Sequence, residues 1–348
     1  MKKIEVLIVG QGLAGTLLAF ELHLAGVSVR IVNNPKKSTA TRVAAGMVNP
    51  LVFKRMTKSW MVDELLPVMK KRYRVLEELL RERFYFDLPM IKPLSEQETA
   101  LWQERKTDER FAPFINEICE SSPVDHVFKS NAYGIVKGSG YLKTGLFLDA
   151  AKRYFQQKEL LIEADFSVQE DDFENRVFQN IQFNKIVFCE GHYLKTHPLF
   201  DFIRLQPAKG EVLQIYAPDL SEEYIINRRV FVLPIGDHRF KVGSTYEWKD
   251  LTDIPTEEGK NSIVDRLKDL IHVDFTIEEH WAGIRPTVID RRPVLGKHPK
   301  HEHIYVFNGL GTKGVMLAPY FAKQMLWTLM KGNHILPKEV NLQRFYKS

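Results

Sequence analysis

Three observations predict an α/β fold made of two interleaved parts. The chain opens on a strand–glycine turn–helix–strand unit. Apolar strand-like runs that end in glycine turns recur near residues 190 and 308. A segment that alternates like a largely antiparallel sheet lies between them. The 348 residues suit two domains or one large composite. A chain of this size removes roughly three quarters of its unfolded surface from water, so its core needs neither disulfide nor metal. With 44% hydrophobic and 27% charged residues, disorder, collagen and coiled coil are excluded.

Ile4 to Val9 is short, apolar and rich in β-branched residues, as a buried parallel strand should be. Gly10-Gln11-Gly12-Leu13-Ala14-Gly15 follows at once. Ala14, Leu18, Leu22 and Ala25 then share one face of a helix, and Gly26 ends it in the left-handed conformation. Val27 to Val32 is a second strand, closing a βαβ unit. A helical pattern spans Lys58 to Phe84, where Lys70, Lys71, Arg72, Arg74, Arg81 and Arg83 alternate with Glu77, Glu78 and Glu82. That mixture predicts a solvated face laced with ion pairs rather than a nucleic-acid patch. Pro89 to Leu94 is a short strand, and Ser95 with Glu98 forms a capping box for a helix to Arg105. Thr144 is expected to cap a helix to about Gln157, and Lys185 to Cys189 is a strand ending at Gly191. Glu211 to Tyr246 alternates like a sheet, with Gly236-Asp237-His238 as a hairpin turn. Ser262 to Ile271 is helical, and Ile304 to Phe307 is a strand. A last helix puts Ala318, Phe321, Ala322, Met325 and Leu329 on one face before Gly332 stops it.

No linker divides the chain in two, so the layout is discontinuous. One domain is expected from 1–57, 139–204 and 282–348, the other from 58–138 and 205–281. The net charge of +5, from 49 basic and 44 acidic residues, permits an anionic ligand without arguing for nucleic acid. The two cysteines, Cys119 and Cys189, lack metal-ligand spacing, so no metal site is expected. Neither a secretory signal nor a membrane-spanning run is recognisable, which makes a cytoplasmic protein the expectation.

The Gly10/Gly12/Gly15 turn carries the first chemistry. Gly10 permits the tight turn, Gly12 lets the backbone approach a pyrophosphate, and Gly15 lets helix and strand pack closely. The helix N-terminus offers N–H groups and about half a positive charge to the phosphates. The acid that usually ends the second strand and binds the ribose is replaced by Asn33, followed by Asn34. An amide can accept one such bond but lacks the charge, and charge-assisted bonds are roughly twice as strong.

Further segments separate one dinucleotide from another. Ala40 to Pro50, with Thr41, Arg42, Ala44, Ala45, Gly46 and Met47, offers small residues against which a flat ring can lie. Trp281 to Thr287 holds the pair Arg285-Pro286, and Gly309-Leu310-Gly311-Thr312-Lys313-Gly314 opens the last helix. Tyr141 to Thr144, Leu205 to Glu211 and Val242 to Glu247 follow the same order. In these residues the chain resembles the D-amino-acid oxidase family of FAD-dependent oxidoreductases over nearly its whole length. Within that family it is most similar to glycine oxidase and to the oxidase half of a bifunctional tRNA wobble-uridine enzyme. The resemblance implies a GR2-type Rossmann-like FAD domain and a substrate domain built on a large mixed sheet. It also implies non-covalent FAD, with contacts at Gly10, Gly12, Leu13, Ala14, Gly15, Asn33, Asn34, Thr41, Arg42, Ala44, Ala45, Gly46, Met47, Val168, Cys189, Glu190, Gly191, Gly309, Leu310, Gly311, Thr312, Lys313 and Gly314. The implied reaction oxidises a C–N bond to an imine by hydride transfer to flavin N5, and water then hydrolyses the imine.

Roles follow from that resemblance. Arg285 would grip a substrate carboxylate bidentately; a pairing with Asp290 is the plain alternative. Lys313 would add positive charge at the flavin's N1–C2 edge, against the alternative of a solvated loop lysine. Tyr246 and Phe231 are expected on strands facing the flavin, His192 near the adenosine, and Cys189 as a buried strand residue. Three functions stay open. One is oxidation of a small amine or amino acid, and another is oxidation of a carboxymethylaminomethyl group on a tRNA base. The third is a non-catalytic FAD-binding protein. Oligomeric state is not readable from the sequence.

Overall fold

The computed structural model describes residues 1–167, 175–332 and 334–346. A seven-stranded sheet is assembled from distant parts of the chain. Its spatial order is Leu161–Glu163, β2 (Val29–Asn33), β1 (Lys2–Val9), Ile181–Phe188, Ile304–Asn308 and Val294–Lys297, with Val177–Phe178 at the side of Ile181–Phe188. The first five run parallel; Val294–Lys297 and Val177–Phe178 are antiparallel. Parallel strands need crossovers, and α1 (Leu13–Leu24) supplies the first. An eight-stranded mixed sheet includes Met90–Leu94, Ala208–Tyr216, Phe231–Gly236, Arg239–Gly243 and Thr276–Arg285. Its one parallel pair joins Ile225–Asn227 to Met90–Leu94. A small sheet of Met47–Val48, Tyr85–Asp87 and Gly140–Leu142 lies outside both.

The helices Val62–Leu80, Thr144–Gln157 and Gly314–Met330 share one apolar core with α1. The opposite face of the parallel sheet is closed by Phe166, Phe178, Phe183, Phe188 and Phe200. The helix Glu257–Lys268 covers part of the eight-stranded sheet through Ile263 and Leu267.

Several expectations are corrected. α1 is buried on every side from Leu13 to Leu22, so it is a core helix rather than one with a single apolar stripe, and Ala25 lies beyond its end. Gly26 has φ +76, as its stop position requires. The helix expected from Lys58 begins at Val62, because Thr57–Lys58 pairs with Leu51–Val52 as strands. Its charged residues reach out to other elements: Arg72 pairs with the buried Glu21 of α1, and Lys70 with Asp87. Glu77 accepts the N–H groups of Phe84 and Tyr85. Ser95 and Glu98 do form the capping box. Thr144 is the first residue of its helix rather than the cap; its hydroxyl donates to the Ala44 carbonyl at 3.0 Å, which diverts it from the helix end. The helix expected from Ser262 starts at Glu257, capped by Thr256. Asp237 and His238 both have positive φ in the hairpin turn, as a primed turn demands. Tyr246 is not on a strand, since the strand ends at Gly243. Among the described residues no helix is long and apolar enough to cross a membrane.

Candidate cofactor and substrate site

The carboxyl ends of the five parallel strands open onto one cavity of about 590 Å³. Val9-Gly10, Val32-Asn33, Asp165, Cys189 and Asn308 line it from those ends. That is where ligands sit in open parallel sheets. The cavity extends beneath the eight-stranded sheet to Gly210, Val212, Phe231, Ser244, Tyr246 and Arg285.

The glycine turn has the geometry its spacing predicts. Gly10 has φ +101, and a Cβ there would lie 2.6 Å from the Cys189 carbonyl oxygen. A Cβ on Gly15 would lie 1.9 Å from the Gly10 oxygen, so Gly15 sits behind the turn and does not line the cavity. A Cβ on Gly12 would meet only the hydroxyls of Thr39 and Thr41, at 3.6 and 3.8 Å. This side of the turn is thus held open for a ligand. Leu13 and Ala14 begin the helix at the cavity wall, and Leu13 N–H donates to the Thr41 hydroxyl. Asn33 accepts from Gln11 N–H through Oδ1 at 3.0 Å, so its amide oxygen is already engaged. Asn34 uses its own Oδ1 for Lys36 N–H.

The 44–47 segment is fixed from behind. A Cβ on Gly46 would lie 1.9 Å from the Leu142 oxygen, and the Ala44 carbonyl accepts from Thr144 and from Lys241. Ala44, Ala45, Gly46 and Met47 line the cavity, as do Thr41 and Arg42. The Arg42 guanidinium is paired with Asp149 at 2.6 Å. Burial pushes the Lys241 ammonium below the usual lysine range. At the last turn, Leu310, Gly311, Thr312 and Gly314 line the cavity. Gly309 is packed on Val288 behind it. Asn308, fully buried, ties two turns together: it donates to the Gly191 carbonyl and accepts from Gly309 N–H.

Lys313 lies outside the cavity lining and donates to the Ser59 hydroxyl. It is not the solvated loop lysine of the plain alternative: burial, then the nearby Arg292, pushes its ammonium down to about 8. Arg285 does face the cavity. Its guanidinium donates to Ser244 Oγ at 2.8 Å and to the carbonyls of Lys209 and Thr245 at 3.2 Å, and it lies 4.3 Å over the Tyr246 ring. Gly210 makes the room, since a Cβ there would lie 1.9 Å from Nη2. Asp290 pairs with Arg344 instead, and among the described residues Arg285 has no carboxylate partner. Burial draws its pKa down. Among the described residues it is a desolvated cation with no carboxylate partner, facing the pocket.

The loop carrying Ser244 and Tyr246 is anchored by buried charge. The Lys209 ammonium, wholly enclosed, donates to Asp250, Thr252 and the Ile254 carbonyl. Glu211 accepts from Thr256 and contacts His280 at 2.7 Å. Cys189 is buried just past its strand, and His192 lines the cavity beside Tyr193 and Lys37. Val168 lies outside the described residues. Lys37, Asp165, Tyr193, Gly210, Ser244 and Asn308 also line the cavity; of these Gly210 and Ser244 lie in segments that carry the family pattern, and Asn308 directly precedes the last glycine turn.

Residues 5–326 match the DAO family, described as FAD dependent oxidoreductase. The chain belongs to this family. Glycine oxidase of Bacillus licheniformis is 22% identical over 360 residues, covering 96% of this chain and 95% of that one. The tRNA 5-methylaminomethyl-2-thiouridine biosynthesis bifunctional protein of Marinobacter nauticus is 25% identical over 190 residues, covering 49% of this chain and 30% of that one. The crystal structure of glycine oxidase from Geobacillus kaustophilus superimposes with a TM-score of 0.78 at 18% identity, covering 100% of this chain and 99% of that one. The protein is therefore an FAD-dependent oxidoreductase of the DAO fold. The cavity fits that cofactor on its own evidence. The Gly12 cradle is open toward the helix N-terminus, small residues line 44–46, and the strand ends converge on one elongated space.

Proposed function

We propose that this chain oxidises the C–N bond of a small amine that bears a carboxylate, in the manner of a glycine oxidase. The observation that carries the reading is Arg285, a guanidinium turned into the cavity with no carboxylate partner among the described residues. A planar fork of donors matches a carboxylate in two parallel bonds, and burial strengthens them. When bound, the flavin supplies the hydride acceptor. The residues of this chain bind and orient the substrate. Arg285 holds the carboxylate, Tyr246 walls one side, Phe231 offers an apolar surface, and the 44–47 backbone supports the ring. The amine must be neutral to release hydride, and Arg285 disfavours a second cation beside it. Water then hydrolyses the imine. In this reading Lys313 acts from outside the wall, through charge rather than contact. We further propose that 1–57, 139–204 and 282–348 form the FAD domain, and 58–138 and 205–281 the substrate domain. Release of an oxo acid from a small amino acid or N-alkyl glycine, measured with purified protein, tests the reading; no product across such a panel would refute it.

One observation favours a second reading, oxidation of a carboxymethylaminomethyl group on a tRNA base. Tyr246 and Trp248 stack at 6.1 Å and are 53% and 56% exposed, offering a flat platform beside Arg285. A nucleobase could stack there. A tRNA gel shift with a steep salt dependence supports this reading, and no shift at low salt removes it.

A further inference from the structure

We propose that Glu190 takes over recognition of the adenosine half of FAD, in place of the acid that the end of β2 lacks. Three observations lead there. First, Asn33 lacks the acid's charge, and its Oδ1 already accepts Gln11 N–H, which leaves a single neutral lone pair for a ligand. Second, Asp165, another acid in this end of the cavity, is paired with Lys37 at 2.8 Å. Third, Glu190 lines the cavity at the carboxyl end of the Ile181–Phe188 strand, directly against the Gly10 turn. Its side chain is only 12% exposed, and its Oε2 is buried without a hydrogen-bond partner.

Oε2 is enclosed on the His197 side, which leaves the carboxyl's other oxygen, on a side chain that lines the cavity, to meet a ligand donor. His197 braces it from behind. The His197 Nδ1 accepts from Leu199 N–H, which puts the ring proton on Nε2, 3.6 Å from Glu190 Oε2. Oε1 is then the oxygen available to the ligand. The donors that adenosine offers are the ribose hydroxyls and the adenine amino group. A carboxylate accepting from them makes the charge-assisted bonds that Asn33 cannot.

The charges around Glu190 make the idea testable by pH. Burial raises its carboxyl to about 7. His197 is held down at about 4 by burial, and burial also lowers His192 and raises the Cys189 thiol. Lys37 holds Asp165 below the usual carboxylate range. Of these groups Glu190 is the one that burial moves into the window between pH 6 and 8, while the others are moved away from it. Ligand bonds favour its ionised form, so binding strengthens as pH rises through that window.

The experiment measures binding alone, so it is independent of the amine substrate. ADP-ribose serves as the probe: it has the adenosine and pyrophosphate but no flavin. Calorimetric Kd values are collected from pH 6 to 8 for the apoprotein and for Glu190→Gln, with FMN as a probe lacking adenosine. The expected result is a Kd for FAD and ADP-ribose raised about tenfold or more in Glu190→Gln at pH 8, with FMN unchanged. The wild-type Kd falls with rising pH, and that dependence is absent in the variant. Equal Kd values for the two proteins, or the same pH dependence in both, would overturn the proposal. Circular dichroism of the apoproteins establishes that the isosteric variant is folded. The wild-type pH dependence is a second test needing no variant, and a flat wild-type profile also counts against the proposal.

Discussion

Replacing Arg285 by Ala should raise the KM for a carboxylate-bearing amine about ten- to a hundredfold. The magnitude follows from the environment. The guanidinium is desolvated, is fixed by Ser244 Oγ and two carbonyls, and sits over the Tyr246 ring. A hydrogen bond to a charged group contributes roughly 1.5–3 kcal/mol, and each 1.4 kcal/mol is a factor of ten. Because none of these contacts is a carboxylate, no carboxylate among the described residues competes with the substrate for the charge. Arg285→Lys should recover only part of the affinity, since an ammonium lacks the fork. The assay is anaerobic flavin reduction against substrate concentration, paired with thermal melts in acetate. A carboxylate ligand stabilises the folded protein by about 2.7 kcal/mol at a hundred times its Kd, and Arg285→Ala should lose that gain. An unchanged KM together with unchanged acetate stabilisation would refute the reasoning.

Three further outcomes are expected. Gly210→Ala puts a Cβ where Nη2 now lies, so it should displace the guanidinium and reproduce the KM defect without touching a charged residue, as steady-state kinetics would show. Gly15→Ala forces a Cβ against the Gly10 oxygen and should cost roughly 1–3 kcal/mol, with FAD content of the purified protein falling in parallel. For Lys313, the folded-state pKa of about 8 lies below the ordinary 10.5, so the unfolded chain binds more protons between those values. Stability therefore rises with pH from about 8 to 10.5, and denaturant melts should show wild type gaining roughly 1–3 kcal/mol relative to Lys313→Met across that window.

Four of the five parallel strands were legible because they are short and apolar, three of them closed by glycines, whereas Leu161–Glu163 carried no such signal. Gly10 and Gly26 have the positive φ that their positions imply. Helix ends were less legible, since tertiary partners claim the capping groups. The Thr144 hydroxyl went to Ala44, and Thr57–Lys58 was drawn into a strand pair. The pocket's far walls lie in segments that carry the family pattern, Leu205 to Glu211 and Val242 to Glu247, but nothing local singles out Gly210 or Ser244. Ser244 and Gly210 reach Arg285 only because Ala208–Tyr216 pairs with both Arg239–Gly243 and Thr276–Arg285. Lys313 shows the limit of motif reading: its turn lines the cavity, while its side chain reaches Ser59 outside the lining. Likewise Asn33 looked like a weak acceptor in sequence, and only the bond from Gln11 shows that one of its oxygen's two lone pairs is already taken.

The central claim, C–N oxidation of a carboxylate-bearing amine beside Arg285, meets its most direct test in anaerobic mixing of the purified yellow protein with small amino acids and N-alkyl glycines. The account predicts that at least one of these bleaches the flavin band, while its counterpart lacking the carboxylate does not. A flavin that stays oxidised with every one of them, or that is bleached equally well without the carboxylate, would contradict it.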